Sequence, residues 1–207
     1  MPIAFDLHIH TSRHSPDSLI DPEALVRRAQ ALGLGGIVIT EHDWLWTPDE
    51  LDELRCAAPG LLVFAGIEVS AQEGHFLVYG VTDPFAVPKG IDLAALCREV
   101  HRQGGAVVAA HPYRWGQPFD EILAAVRPEL DGLEVMSKNM DAAERRRAAA
   151  VGKARGWTTL GNSDAHQEDQ LAVCYTLFAH TIRDQRDLIE ALRSGAAEPR
   201  ERTGACL

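Results

Sequence analysis

The chain contains 207 residues, of which 46% are hydrophobic and 24% charged, and its formal net charge at pH 7 is −10. This length and composition fit one globular domain with a single core. The acidic balance disfavours binding of long nucleic acid or of an anionic membrane through bulk charge. No apolar run reaches the roughly 18 residues that a membrane helix needs. The N-terminus lacks a secretory signal pattern and the four scattered cysteines indicate reduced thiols, so we expect a cytoplasmic protein.

Short runs rich in Val, Ile and Leu alternate along the chain with longer helical patterns. Helix starts are predicted at Asp21-Pro22, at the capping box Thr47-Pro48-Asp49-Glu50 and at Thr181, where the helix would run to Gly195. Further helices are predicted over residues 93–103, 120–126 and 142–155. The predicted strands cover residues 3–10, 36–42, 61–70, 76–81, 106–111, 132–137, 158–163 and 172–179.

Strands that are apolar on both faces and alternate with helices are typical of a parallel sheet covered by helices. Residues 76–81 follow the third strand too closely for an intervening helix, and we interpret them as an antiparallel addition or an irregular excursion. The other seven β-α units favour an α/β fold with a closed or nearly closed seven-stranded parallel barrel, and a doubly wound open sheet is the alternative. We expect residues 1–195 to form one domain and residues 196–207 a loose tail.

Metal-binding residue types stand at the ends of several predicted strands, where parallel α/β folds place their chemistry. His8 and His10 are two residues apart on one strand, so their side chains point the same way. A single histidine of this kind is more often a hydrogen-bonded core or surface residue. Six of the nine histidines, together with Glu68 and Asp164, fall at the same end of different strands, however, and burying them without cations would be costly. The sequence therefore predicts a polynuclear metal site.

The motifs DLHIHT, TEHD, GIEVS, AHP and GNSDAH, in this order, resemble the successive motifs of the PHP (polymerase and histidinol phosphatase) domain. The resemblance extends from Asp6 to about Gly195. It implies a distorted seven-stranded, TIM-like β/α barrel whose two- or three-metal centre hydrolyses phosphoesters. It also implies a first metal bound by His8, His10, Glu68 and Asp164, a second bound by Glu68, His75 and His111, and a third bound by His42, His166 and one residue of the first loop.

The first-loop ligand has two candidates. Family members with a Ser-Asp step after the first motif use the aspartate, which here is Asp17 in the segment SPDS, whereas other members use a histidine, for which His14 is available. We prefer Asp17. Mixed imidazole and carboxylate ligands suit Mn, Fe or Zn better than Ca or Mg. A water that bridges two such ions has its pKa lowered towards about 7, which supplies hydroxide as the nucleophile.

Several neighbouring residues are candidates for supporting roles. Asp43 is interpreted as a residue that orients His42 or moves a proton, and Arg114 as the side chain that contacts phosphate, because a guanidinium matches phosphate oxygens. Asp6 is either an acceptor that orients His8 or a polar group that closes the bottom of the site. Weaker candidates are Arg13 and Lys138 for phosphate binding, Glu134 for hydrogen bonding, and Trp44, Trp46 and Trp115 for the substrate mouth.

The predicted function is metal-dependent hydrolysis of a small phosphomonoester, which would be the chain's main partner. One alternative is a phosphodiesterase that acts on cyclic nucleotides or degrades short oligonucleotides from the 5′ end. A metal-binding module without catalysis is disfavoured by the complete ligand set. An amidohydrolase-like centre typically has a bridging lysine, for which Lys138 is the only candidate, and Glu68 in the bridging position argues against it. The oligomeric state is not predicted.

Overall fold

The computed structural model describes residues 2–204, which form nine strands and six α-helices. The strands are β1 (Ile3–Ile9), β2 (Gly36–His42), β3 (Leu62–Ala71), β4 (Gly74–Tyr79), β5 (Ala106–Ala109), β6 (Gly132–Met136), β7 (Thr158–Gly161), β8 (Cys174–Phe178) and β9 (Ala197–Glu201). The helices are α1 (Pro22–Leu32), α2 (Pro48–Ala57), α3 (Leu93–Arg102), α4 (Phe119–Val126), α5 (Ala142–Arg155) and α6 (Gln185–Ser194).

Helix boundaries follow local capping chemistry. The side chain of Asp21 accepts a hydrogen bond from the backbone N–H of Ala24 at the start of α1, and the predicted capping box of α2 is confirmed. The predicted start of the last helix at Thr181 is wrong. Asp184 is the N-cap of α6 because its carboxylate accepts from the backbone N–H of Asp187.

The strands form one sheet in the order β7-β6-β5-β4-β3-β2-β1-β8-β9. Two parallel groups, β1 to β3 and β5 to β7, are joined by β4, which is antiparallel to both of its neighbours. The predicted barrel-like α/β class is confirmed, but six strands and not seven are parallel, because β8 pairs antiparallel with β1. Strand β4 is the antiparallel addition predicted after the third strand. Only two residues separate β3 from β4, which permits a hairpin and not the crossover that a parallel pair requires.

The two edges of the sheet come together because β7 lies beside β8 and β9. Gly161 in β7 permits this approach, since a methyl group built on it would lie 2.8 Å from the carbonyl oxygen of Tyr175 and 3.2 Å from the backbone nitrogen of Arg200. The predicted loose tail is wrong for residues 197–201, where β9 pairs antiparallel with β8. Residues 205–207 of that tail lie outside the described residues, and Cys206 is among them.

Helix α6 covers the end of the barrel where the parallel strands begin. Leu188 and Leu192 of this helix belong to the same apolar cluster as Phe5 and as Ala106, the first residue of β5. The opposite rim, where the parallel strands end, is therefore left for polar side chains. Within the part of the chain that the structure describes, no helix is long and apolar enough to cross a lipid bilayer.

Substitution of Gly161 by Ala tests the closure of the sheet. The added methyl group would press against the backbone at Tyr175 and Arg200, so we expect the free energy of unfolding to fall by about 1–3 kcal/mol. Urea unfolding measures this change. Ala150→Ser, on the exposed surface of α5, is the control and should shift stability by less than about 0.5 kcal/mol. Equal midpoints for the two variants would contradict the close approach of β7 to β8 and β9.

Candidate metal centre

The ends of the parallel strands bring the predicted ligand residues into one cluster. Three groups in it have ligand atoms close enough to share an ion: His8 with His10 and Asp164, His8 with Glu68 and His111, and His10 with His42 and His166. Asp17 and His75 adjoin these groups. The structure thus brings together all nine residues that the resemblance implies, although their binding of metal stays a prediction.

Glu68, at the end of β3, lies at the middle of the cluster. One of its oxygens, Oε1, is 3.0 Å from Nδ1 of His75 and 3.1 Å from Nε2 of His111. The other, Oε2, is 2.8 Å from Nδ1 of His42 but has no aligned hydrogen-bond donor among the described residues. Ring nitrogens within 3.5 Å of this carboxylate come from five histidines: His8, His10, His42, His75 and His111.

The buried inner part of the cluster has the spacing of metal ligands. Nε2 of His8 lies 3.1 Å from Nε2 of His10, and the two nitrogens lie 3.4 and 3.3 Å from Oδ1 of Asp164. Ligands at about 2.0–2.1 Å from one ion are separated by about 3.0–3.4 Å. Two imidazole nitrogens that face each other are also poor partners unless one is a donor. This donor set therefore fits a divalent ion.

The outer part of the cluster selects between the two first-loop candidates. Oδ2 of Asp17 lies 3.2 Å from Nε2 of His42 and 3.3 Å from Nε2 of His166. His14 instead hydrogen-bonds to Glu50 at 2.9 Å, at the start of α2. The geometry thus brings Asp17, and not His14, to the two histidines.

The electrostatics of the cluster favour positive charge. Burial lowers the pKa of His8, but the carboxylates of Asp164, Glu134 and Glu68 outweigh burial and hold that pKa well above its usual range. Burial likewise opposes protonation of His42, yet contacts with Glu68 and Asp17 raise its pKa to about 9. The carboxylates thus create a potential in which bound cations are stabilised.

Glu134 orients His8, in keeping with the hydrogen-bonding role predicted for it. Its Oε1 lies 3.0 Å from Nδ1 of His8 and its Oε2 accepts from the backbone N–H of His111 at 2.7 Å. Asp6 instead accepts from the backbone N–H groups of Ser163 and Ala172 at 3.0 and 2.9 Å. Of the two interpretations of Asp6, the structure supports closure of the bottom of the site. Burial raises the pKa of this carboxyl to about 6.

The structure corrects the interpretation of Asp43. Its carboxylate accepts hydrogen bonds from the backbone N–H and the hydroxyl of Ser70 at 2.7 and 2.8 Å, and it lies 3.3 Å from Nζ of Lys89. The backbone at Asp43 has a positive φ of 54°, which turns the chain at the end of β2 and directs the side chain to β3 instead of to His42. Asp43 therefore joins two strand ends.

Arg114, the predicted phosphate contact, lies at the edge of the candidate metal centre. Its Nη1 is 3.2 Å from Oδ2 of Asp164, and it lines a cleft of about 440 Å³ together with His75 and His111. Asn139 was not among the predicted site residues, but its Nδ2 donates to the same oxygen of Asp164 at 2.5 Å. The residue belongs to the loop after β6, and no periodic pattern marks it.

The buried carboxylate of Glu41 fixes the first loop and was also missed. Its Oε1 accepts from the hydroxyl of Thr11 at 2.5 Å and from Nε1 of Trp46 at 2.9 Å. Its Oε2 accepts from the backbone N–H of Thr11 at 3.1 Å and from the hydroxyl of Ser15 at 2.5 Å. Because Ser15 is two residues before Asp17, Glu41 positions the segment that carries Asp17. Glu41 lies inside the TEHD motif, in which only the neighbouring His42 was assigned a role from the sequence.

Comparison with family models identifies this arrangement of fold and site. The model of the PHP domain matches residues 6–142, and the model described as PHP-associated matches residues 142–197. The chain belongs to the PHP domain family. The resemblance inferred from the motifs is confirmed. The proteins of this family are metal-dependent phosphoesterases, which is the enzyme class predicted from the sequence.

Similar proteins include both small and large members. An uncharacterized protein of Methanocaldococcus jannaschii is 28% identical over 143 residues, which are 64% of this chain and 80% of that protein. The 5′-3′ exoribonuclease Rnm of Salmonella typhimurium is 31% identical over 110 residues, 52% of this chain and 37% of the exoribonuclease.

A crystal structure from Bacteroides vulgatus shares the fold. It is that of a two-domain protein containing a predicted PHP-like metal-dependent phosphoesterase, and it superposes with a TM-score of 0.75 at 24% identity. The match covers 97% of this chain and 65% of that protein. This chain therefore spans less than two thirds of the Bacteroides protein and less than half of the exoribonuclease.

Replacement of Glu41 by Gln tests how the first loop is held. Both carboxylate oxygens accept hydrogen bonds from fixed donors, so an amide NH₂ at either position would face another donor. We expect a loss of about 1–3 kcal/mol in the free energy of unfolding, measured in urea with a chelator present. Glu53→Gln removes an exposed ion pair with Arg13 and should cost less than about 1 kcal/mol. Similar losses in both variants would contradict the role of Glu41.

Proposed function

We propose that this chain is a phosphoesterase that hydrolyses small phosphomonoesters at a centre of two or three divalent ions. The observation that carries the proposal is the convergence of five histidine rings on the buried carboxylate of Glu68. Such a group of imidazoles and carboxylates is costly to bury unless it binds cations. Its mixed nitrogen and oxygen donors suit Mn, Fe or Zn.

In this proposal, the ions are assigned to three sets of ligands, of which the first two share Glu68. The innermost set is His8, His10, Glu68 and Asp164, the second is Glu68, His75 and His111, and the outer set is Asp17, His42 and His166. The inner set is buried, whereas the carboxylate of Asp17 is 55% exposed. The outer ion would therefore be the one most accessible to solvent and to chelators.

Bound divalent ions would supply a nucleophile from water near neutral pH and positive charge for the phosphoryl oxygens. The chain's own residues provide orientation. Glu134 fixes the ring of His8, and Asn139 and Arg114 hold Oδ2 of Asp164. The guanidinium of Arg114 faces the cleft and would bind a phosphate oxygen. Three divalent ions would also leave the centre positive after the charges of three carboxylates, which suits a phosphate dianion in an acidic protein.

Phosphodiesters are the second candidate substrates. The observation in their favour is the 31% identity to a protein named as a 5′-3′ exoribonuclease. The net charge of −10 favours short or cyclic diesters over long polymers. Glu68 holds the central position of the site, so an amidohydrolase-like centre built on Lys138 is the least favoured candidate.

A hydrolysis panel with two histidine variants tests the proposal. The Mn-loaded protein should hydrolyse at least one small phosphomonoester faster than the matched diester. His8→Ala should lower this rate more than about 100-fold, which exceeds the usual effect of losing an outer partner of a metal ligand. His101→Ala is the control, because His101 pairs with Asp131 at 2.8 Å outside the cluster. Absence of turnover, or turnover that survives His8→Ala, would contradict the proposal.

Metal counting separates Asp17 from His14. Because Asp17 contacts two candidate ligands and His14 contacts Glu50, Asp17→Ala should lower the metal content by one ion per chain and His14→Ala should leave it unchanged. Elemental analysis after gel filtration measures both. A loss of metal in the His14 variant alone would assign the outer ion to the other candidate.

A further inference from the structure

Trp115 stands at the edge of the candidate metal centre with its side chain largely in solvent. The residue is 79% exposed, and its ring centre lies 6.3 Å from that of His111. It lines the same cleft as His75, His111 and Arg114. A large aromatic side chain beside a polar site can hold a flat ligand by stacking.

The loop that carries Trp115 is anchored on both sides. Before it, the buried side chain of Tyr113 donates a hydrogen bond from its hydroxyl to Asp120 at 2.7 Å. After it, the side-chain amide Nε2 of Gln117 donates to the backbone carbonyl of Glu73 at 2.8 Å. The exposed ring is therefore presented from a fixed segment of backbone.

The backbone on either side of Arg114 is also strained. Tyr113 and Trp115 have φ values of 73° and 57°, which are unfavourable for residues with a Cβ atom. The guanidinium carbon of Arg114 lies 3.9 Å from the ring centre of Trp115, and its Nη1 lies 3.2 Å from Asp164. One face of the indole is thus covered by a cation that also contacts the centre, and the ring is otherwise open.

We propose that Trp115 is a stacking platform for the heteroaromatic base of a nucleotide substrate. This inference rests on the proposed function, because it places the phosphate beside His111 and Arg114. The ring centres of His111 and Trp115 are 6.3 Å apart, so a phosphate held at His111 and a base stacked on Trp115 fall within the span of one nucleotide. Stacking on an indole tolerates any base, because every base has a flat π-face. Trp115 therefore selects nucleotides over phosphoesters without a ring, and not one base over another.

A pair of substrates that differ only in the base tests the platform. AMP and ribose 5-phosphate carry the same phosphorylated sugar, so we compare kcat/KM for the two with the metal-loaded wild-type chain, Trp115→Ala and Trp115→Phe. Phe85→Ala is the matched control, because Phe85 is 91% exposed and follows β4 at the opposite end of the barrel. Thermal unfolding of each variant checks that the fold is retained.

Loss of the ring should affect AMP alone. Trp115→Ala should lower kcat/KM for AMP about 5- to 150-fold, as expected for removal of one stacked base, and change that for ribose 5-phosphate less than about twofold. Trp115→Phe should restore part of the loss and Phe85→Ala should have no effect. Equal losses for both substrates would show that Trp115 acts through Arg114 or stacks on the sugar, and would overturn the proposal.

Tryptophan fluorescence provides a readout that is independent of turnover. In a stopped-flow experiment, AMP should quench emission in the wild-type chain and in Trp44→Phe, but not in Trp115→Phe. Quenching that persists without Trp115 would overturn the platform. The two proposals fail differently: a wild-type chain that hydrolyses no phosphoester contradicts the proposed function, whereas hydrolysis that does not depend on the base contradicts only the platform.

Discussion

The site is organised around a single buried carboxylate. Glu68 lies at the end of β3 with five imidazole rings within 3.5 Å of its oxygens, and these rings come from β1, β2, β4 and the segment after β5. The irregular topology serves this arrangement. Strand β4 is antiparallel between two parallel groups, and its hairpin returns His75 to the rim beside Glu68, which a helical crossover would not do.

The acidic composition is compatible with the proposed phosphate chemistry, because the positive charge that phosphate requires would come from bound ions and not from the surface of the chain. The buried carboxylates raise the pKa of His8 and His42, so the cluster attracts cations, and bound divalent ions would reverse its sign. Two of the inner ligands are held by neighbours outside the cluster: Glu134 holds His8, and Asn139 holds Asp164. Glu41 does the same for the first loop. Rigid support of this kind is what fixes ligand spacing.

Features that depend on local sequence patterns could be predicted from the sequence. The two-residue spacing of His8 and His10, the strand ends that carry Glu68 and Asp164, and the caps of α1 and α2 are local, and the structure brings these side chains together as expected. The pairing of β9 depends instead on the edge of β8, since the polar residues of β9 carry no strand signal. The side-chain directions of Asp43 and Asn139 depend on loop dihedral angles, which spacing does not encode.

The most direct test of the account is anomalous diffraction from crystals of the as-purified protein at the Mn, Fe and Zn absorption edges. We expect one peak bounded by His8, His10 and Asp164, a second beside Glu68 and His111, and, at full loading, a third beside Asp17, His42 and His166. Each peak should lie about 2.0–2.2 Å from its ligand atoms. A site without anomalous density, in a protein that also fails to take up these ions on titration, would contradict the central claim that the histidines around Glu68 bind metal.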